Sequence, residues 1–126
     1  FLFYAQHLVE TMTTVFGNDV QRVAAESNNG LMTVKFYYTD FCVFGTYVDN
    51  LHYYSVMVYG KDGNYAKELT INRECFLHEL EQMHRLLVGK EMEKSYNDFI
   101  KPVFIMDAIL RSLQSGETEK IETAVI

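Results

Sequence analysis

The stretch Leu31–Tyr59, LMTVKFYYTDFCVFGTYVDNLHYYSVMVY, decides the fold. Apolar, β-branched and aromatic residues dominate it, and the turn-forming pairs Thr39-Asp40 and Asp49-Asn50 interrupt it. Such side chains fit the pleated surface of a sheet, so the stretch predicts three strands of one antiparallel sheet. Successive strand side chains point to opposite faces. Met32, Val34, Phe36 and Tyr38 therefore share one face, and Leu31, Thr33, Lys35 and Tyr37 the other. Further along, Phe41, Val43 and Tyr47 oppose Cys42, Phe44 and Val48, while Tyr53, Met57 and Tyr59 oppose Tyr54, Val56 and Val58. Both faces carry large apolar groups, and a sheet of that kind needs two covers. Helices of the same chain are expected to supply one, and the sheet of a second copy, or another domain, the other.

Downstream, Lys61-Asp62-Gly63-Asn64 marks a turn into a last strand, Tyr65 to Ile71. Upstream, Val20 to Glu26 alternates weakly, as an edge strand does, before Asn28-Asn29-Gly30 turns the chain into the main sheet. Residues 20–71 thus read as a meander of about five strands. Before it, Ala5 to Phe16 places Leu8, Val9, Met12, Val15 and Phe16 at helical spacing, with Gly17 as a stop. After it, Asn72 is placed to cap a helix whose stripe is Phe76, Leu77, Leu80, Met83 and Leu87, ending at Gly89. Lys90 to Lys94 reads as a solvated connector. Ser95, with Asp98 three residues on, signals a capping box for a last helix carrying Phe99, Val103, Met106, Ile109, Leu110 and Leu113. Pro102 predicts either a kink there or a helix proper that begins at that proline, because an interior proline removes a hydrogen bond and clashes with the preceding turn. Gly116 ends the helix, and Lys120 to Ile126 reads as one more short strand. The expected class is α+β: a large, open, mainly antiparallel sheet with helices packed on one face and the other free for sheet-to-sheet dimerisation.

At 126 residues the chain is expected to be a single domain, long enough for a core without metals or disulfides. A net charge of −6 with no basic cluster argues against nucleic acid as partner, since binding the phosphate backbone depends on clustered Lys and Arg. Cys42 and Cys75 form no metal-type or redox-type spacing and read as two buried free thiols of a cytoplasmic protein. No apolar run approaches the ~20 residues of a membrane helix, so no membrane association is expected. The chain begins Phe1-Leu2-Phe3-Tyr4 without an initiator methionine, which reads as a piece of something longer.

His7 is the residue to single out for chemistry. It lies on the first turns of a helix with Glu10 three positions on, nearly on the same face. A histidine titrates near neutrality, and a nearby carboxylate can orient its ring, so the pair suits a proton relay. The bland alternative is a helix-surface histidine with an incidental acid neighbour. His78-Glu79 with His84 fails the H-E-x-x-H zinc signature, because Gln82 stands where the second ligand must sit, and no metal is expected. His52 opens a strand with no obvious partner. Gly45, Gly60 and Gly63 make no phosphate-cradling fingerprint, and serine-nucleophile motifs are absent. The sheet tyrosines fit core or interface better than a ligand groove. On its residues alone the chain does not read as a complete enzyme.

The segment FYAQHLVETMTTVFG (3–17), together with FIKPVFIMDAILRSLQSGETEKI (99–121), resembles the C-terminal domain of the glucose-fructose oxidoreductase, inositol dehydrogenase and rhizopine-catabolism (Gfo/Idh/MocA) family. The resemblance spans nearly the whole chain in element order: a helix bearing H-x-x-D or H-x-x-E and ending in Gly, an open antiparallel sheet, then two helices with an A-I-x-x-S-x-x-x-G pattern. Here that pattern is Ala108, Ile109, Ser112 and Gly116. The resemblance implies the substrate-binding half of a two-domain NAD(P)-dependent oxidoreductase. A Rossmann domain with the glycine-rich turn and a catalytic Lys would precede Phe1, so NAD or NADP would bind the full-length protein and no cofactor is expected on this fragment. His7 matches the family histidine that relays the substrate hydroxyl proton, which makes it the implied catalytic residue. Tyr4 and Glu10 are the implied substrate-binding residues, in a Y-x-x-H-x-x-E form of the segment. Four positions before His7, Phe3 replaces the family's Asp. The implied substrate is a small hydroxyl-bearing molecule of sugar or cyclitol type, and the implied assembly a homodimer or higher oligomer through the sheet. Two rivals stay open: a non-enzymatic α+β module that binds a partner protein through its tyrosine-rich sheet, and a small stand-alone enzyme acting through His7 or His52.

Overall fold

The computed structural model describes residues 2–51, 54–70, 73–90 and 95–122, with side chains from Gln6 onward. In chain order they form α1 (Leu2–Phe16), β1 (Arg22–Asn28), β2 (Leu31–Tyr37), β3 (Cys42–Val48), β4 (Tyr54–Gly60), β5 (Gly63–Leu69), α2 (Arg73–Leu87), α3 (Tyr96–Ser115) and β6 (Glu119–Lys120). The chain divides into two compact units, Phe1–Asp49 with Lys94–Ile126, and Asn50–Glu93. The class is α+β, and every strand pair is antiparallel.

The first unit is built on a four-stranded sheet in the order β3-β2-β1-β6. Asn29 and Gly30 both take positive φ, 50° and 78°, as a type I′ turn requires. That turn fixes the β1–β2 register, with Val23 opposite Phe36 and Ala25 opposite Val34. A β2–β3 register pairing Val34 with Gly45 and Phe36 with Val43 continues the same face. On that face Val23, Ala25, Met32, Val34 and Phe36 are buried, and α1 and α3 cover it with Val9, Met12, Ile105, Ala108 and Ile109. Tyr38 closes the core at its edge. Its hydroxyl donates to the Gly17 carbonyl at 2.7 Å and lies 2.8 Å from Met12 Sδ, tying the end of α1 to the end of β2. Burial, with the charge of Asp19 adding, pushes the Tyr38 hydroxyl up to about 12.

The opposite face is open. Leu31, Cys42, Phe44, Thr46 and Val48 are exposed there, and Phe44 is 73% exposed. Two cations lie over its rings: the Arg22 guanidinium is 4.7 Å from the Tyr37 ring centre, and Lys35 Nζ is 4.7 Å from Tyr37 and 5.2 Å from Phe44.

Several expectations need correction. The weak strand before the turn is not an edge. β1 lies between β2 and β6, and the two-residue pairing of Arg22 with Lys120 and Val23 with Glu119 covers its outer side. The stretch 31–59 does not form three strands of one sheet, since β4 pairs with β5 in a two-stranded sheet of its own. The two-residue Lys61-Asp62 loop, with Gly63 at φ 142°, supplies that partner locally. Cys42 and Cys75 form no disulfide, but both are exposed rather than buried; strand parity turns Cys42 outward beside Phe44. Of the two courses expected at Pro102, the start of the helix at the proline is excluded, because α3 runs through it. Its start is fixed earlier, where the Asp98 carboxylate accepts from the Ser95 backbone N–H and hydroxyl, each at 2.8 Å. Those bonds hold Asp98 below the usual carboxylate range, with Asn18 and Lys101 adding to them. Asn72, His52, Tyr53, Ile71, most of the connector after Gly89 and the last residues of the closing strand lie outside the described residues.

In the second unit the β4–β5 hairpin and α2 bury no residue among those described. The predicted α2 stripe is present at helical spacing, yet Phe76, Leu77, Leu80, Met83 and Leu87 are all more than half exposed.

Candidate functional site

α1 sorts its residues by period. Val9, Met12 and Thr13 turn toward the sheet, while Gln6, His7 and Glu10 lie on the exposed side. The structure brings two of the predicted residues together there. His7 Nδ1 stands 3.6 Å from Glu10 Oε2, at ion-pair range and longer than a hydrogen bond, with both side chains about half exposed. Glu10 is itself held: Gln6 Nε2 donates to its Oε1 at 2.7 Å, one helical turn back. One carboxylate oxygen is thus taken by Gln6 and the other is turned to His7. Tyr4 lies on the α1 backbone, and its side chain lies outside the described residues.

This arrangement can move a proton. A carboxylate facing Nδ1 favours the tautomer with its proton there and leaves Nε2 as the acceptor. No charged group other than Glu10 is within ion-pair distance of His7 among the described residues. Elsewhere, His78, Glu79 and His84 sit exposed on α2, and the described residues contain no cluster of three His, Cys, Asp or Glu side chains able to hold a metal ion.

Three contributors escaped sequence reading. Gln6 carried a signal, since it stands four positions before an acid. Gly45 registered only as a glycine outside any fingerprint, although an isolated glycine in a strand marks a close approach. A Cβ built on it would lie 3.0 Å from both Leu8 methyls and from Phe36 Cε2. Ser112 registered only as part of a pattern. It is 1% exposed, and its hydroxyl accepts from the Ala25 N–H at 2.9 Å and donates to the Glu117 carbonyl at 2.6 Å. Ala25 lies just past the two-residue reach of β6, so Ser112 fills the bonding position that β6 leaves open on β1.

Two helices laid over one face of an antiparallel sheet make an α+β fold that this chain shares with solved dehydrogenase structures. Over 93% of this chain it matches an oxidoreductase from Agrobacterium radiobacter solved in complex with NAD+, L-tartaric acid and magnesium, at a TM-score of 0.67 and 16% identity. A protein assigned as a myo-inositol dehydrogenase from Sinorhizobium meliloti 1021 matches over 94% of the chain at 0.62 and 15% identity, and one assigned as a dehydrogenase from Thermotoga maritima over 93% at 0.50 and 13%. At these identities the likeness is one of fold, and it agrees with the resemblance to the Gfo/Idh/MocA dehydrogenases. The chain spans about half the length of each of these structures, 48%, 47% and 48%. Comparison with protein-family models and with curated protein sequences finds no match. Among the described residues no helix is long and apolar enough to cross a membrane.

Proposed function

We propose that this chain is the C-terminal, substrate-binding half of an NAD(P)-dependent oxidoreductase acting on a hydroxyl-bearing small molecule of sugar or cyclitol type. The observation that carries the reading is the exposed His7–Glu10 pair on the first helix of a dehydrogenase-like fold. His7 takes the substrate hydroxyl proton on Nε2, while Glu10 orients the imidazole through Nδ1 and Tyr4 stands one turn before His7. A nicotinamide held by a Rossmann domain outside this chain would supply the hydride acceptor. This chain contributes binding, orientation and the proton path. The open face of the sheet, with Phe44 exposed on its edge strand β3, pairs with a second copy.

The test is His7→Ala in the longest form of the protein that carries this chain, assayed for reduction of NAD+ or NADP+ against a panel of polyols and sugars. Loss of general-base assistance lowers kcat about 10²-fold or more. The far-ultraviolet circular dichroism stays unchanged, because His7 is half exposed and packs in no core. Turnover equal to that of the parent removes His7 from the chemistry and leaves the interaction-module reading in front.

A further inference from the structure

We infer that Gly45 is a positioning residue for His7, and that its missing side chain sets the depth at which the His7-bearing end of α1 sits on the sheet. The inference rests on the reading of His7 given above and adds what holds the residue in place. Gly45 lies in the middle of β3 on the covered face and is buried, flanked inward by Val43 and Tyr47. Its conformation needs no glycine, since its φ lies outside the positive range; the requirement is one of space. A Cβ there would stand 3.0 Å from Leu8 Cδ1, Leu8 Cδ2 and Phe36 Cε2, closer than nearly all real contacts of that kind. At that distance each neighbour has to give by a few tenths of an ångström; Phe36 is fully buried in the core, whereas Leu8 is only partly buried, so the larger share of the accommodation falls on Leu8. Leu8 is partly buried and next to His7 on a helix that moves as a rigid element, so lifting it displaces the imidazole. The other end of α1 is tied by Tyr38 to Gly17, so the motion is a tilt about that anchor, largest at the His7 end.

The experiment uses Gly45→Ala, Leu8→Ala and the double variant, again in the longest form of the protein that carries the chain. Two quantities are read: the NMR shifts of the His7 imidazole, and kcat and KM separately. A tilt in Gly45→Ala moves the His7 resonance and lowers kcat by about tenfold or more, on the scale that small misplacements of catalytic groups produce. Leu8→Ala removes two of the three close contacts and leaves only the small adjustment of Phe36, so the double variant returns the His7 resonance toward its original position. Should Gly45→Ala fail to fold, a double variant that folds with the parental resonance carries the same conclusion. A resonance unmoved in folded Gly45→Ala, a shift that persists in the double variant, or a double variant that fails to fold overturns the inference. The resonance reports position whether or not His7 acts in turnover. A moved resonance with turnover indifferent to His7→Ala therefore rejects the catalytic reading and leaves the seating by Gly45 standing.

Discussion

Tyr38 shows how a single residue here joins a local rule to a long-range one. Its side of the strand followed from alternation with Met32, Val34 and Phe36, and the structure buries it there. Its hydrogen bond to the Gly17 carbonyl could not be read, because the acceptor is a backbone atom made available only when α1 packs on the sheet. That bond and its burial predict an alkaline limit. In the unfolded chain the phenol ionises near its ordinary value of 10.0, whereas in the fold it stays protonated up to about 12. Between those values the unfolded state binds fewer protons than the folded one, so stability falls as pH rises through that window. Tyr38→Phe removes this part of the fall while lowering stability at neutral pH by the lost hydrogen bond. Urea midpoints measured for both proteins across the window check it: the gap between them narrows as pH rises. His7 and Glu10 stand at the same scale but with the opposite balance. Their spacing on one turn was enough to predict that they meet, and Gln6 behind Glu10 was within reach of the same rule.

At the scale of elements, local chemistry in the sequence was readable and pairing was not. The Asn29-Gly30 turn, the Ser95–Asp98 cap and the glycine stops at Gly17 and Gly116 are written in residues a few positions apart, and each is found in place. Of the two courses that Pro102 left open, the cap upstream decides for a helix that continues through the proline. Six helical residues precede it, and the packing of Ile105, Ala108 and Ile109 follows it. β1 misled because its central position comes from β6, whose two paired residues lie at the far end of the chain. The join between α3 and β1 tests this view. Ser112→Ala removes an oxygen that serves both the Ala25 N–H and the part-buried Glu117 carbonyl, so it leaves the buried Ala25 N–H unpaired at a cost of about 1–3 kcal/mol. A lower urea midpoint with an unchanged slope is the expected result. Ser112→Thr keeps the hydroxyl and separates the bond from the space the side chain fills. A midpoint for Ser112→Ala equal to that of the parent would place the α3–β1 join in apolar packing alone.

For the whole molecule, the apolar pattern on both sides of the sheet was visible from the start, and within the first unit α1 and α3 cover one of them. Alternation in β2 and β3 was enough to sort those sides, whereas the separation of β4–β5 into its own sheet depends on pairings that alternation does not encode. The proposed pairing of the open face with a second copy has a physical test in Phe44→Asp. In a monomer the new carboxylate is solvated and faces Lys35, whose ammonium already lies 5.2 Å from the ring it replaces, so the fold is retained. In a two-fold interface each copy would bury that carboxylate against the apolar side chains of the other, Leu31 and Val48 among them, and desolvating a charge there costs far more than a surface ion pair returns. The native molecular mass of the parent is therefore expected at twice that of Phe44→Asp or more, when both are measured by sedimentation at one concentration and salt. Because the lost association is apolar, raising the salt screens the charges without restoring the oligomer. Equal masses for the two proteins would mean that Phe44 faces solvent in the assembled molecule, and that the second cover of the sheet lies elsewhere.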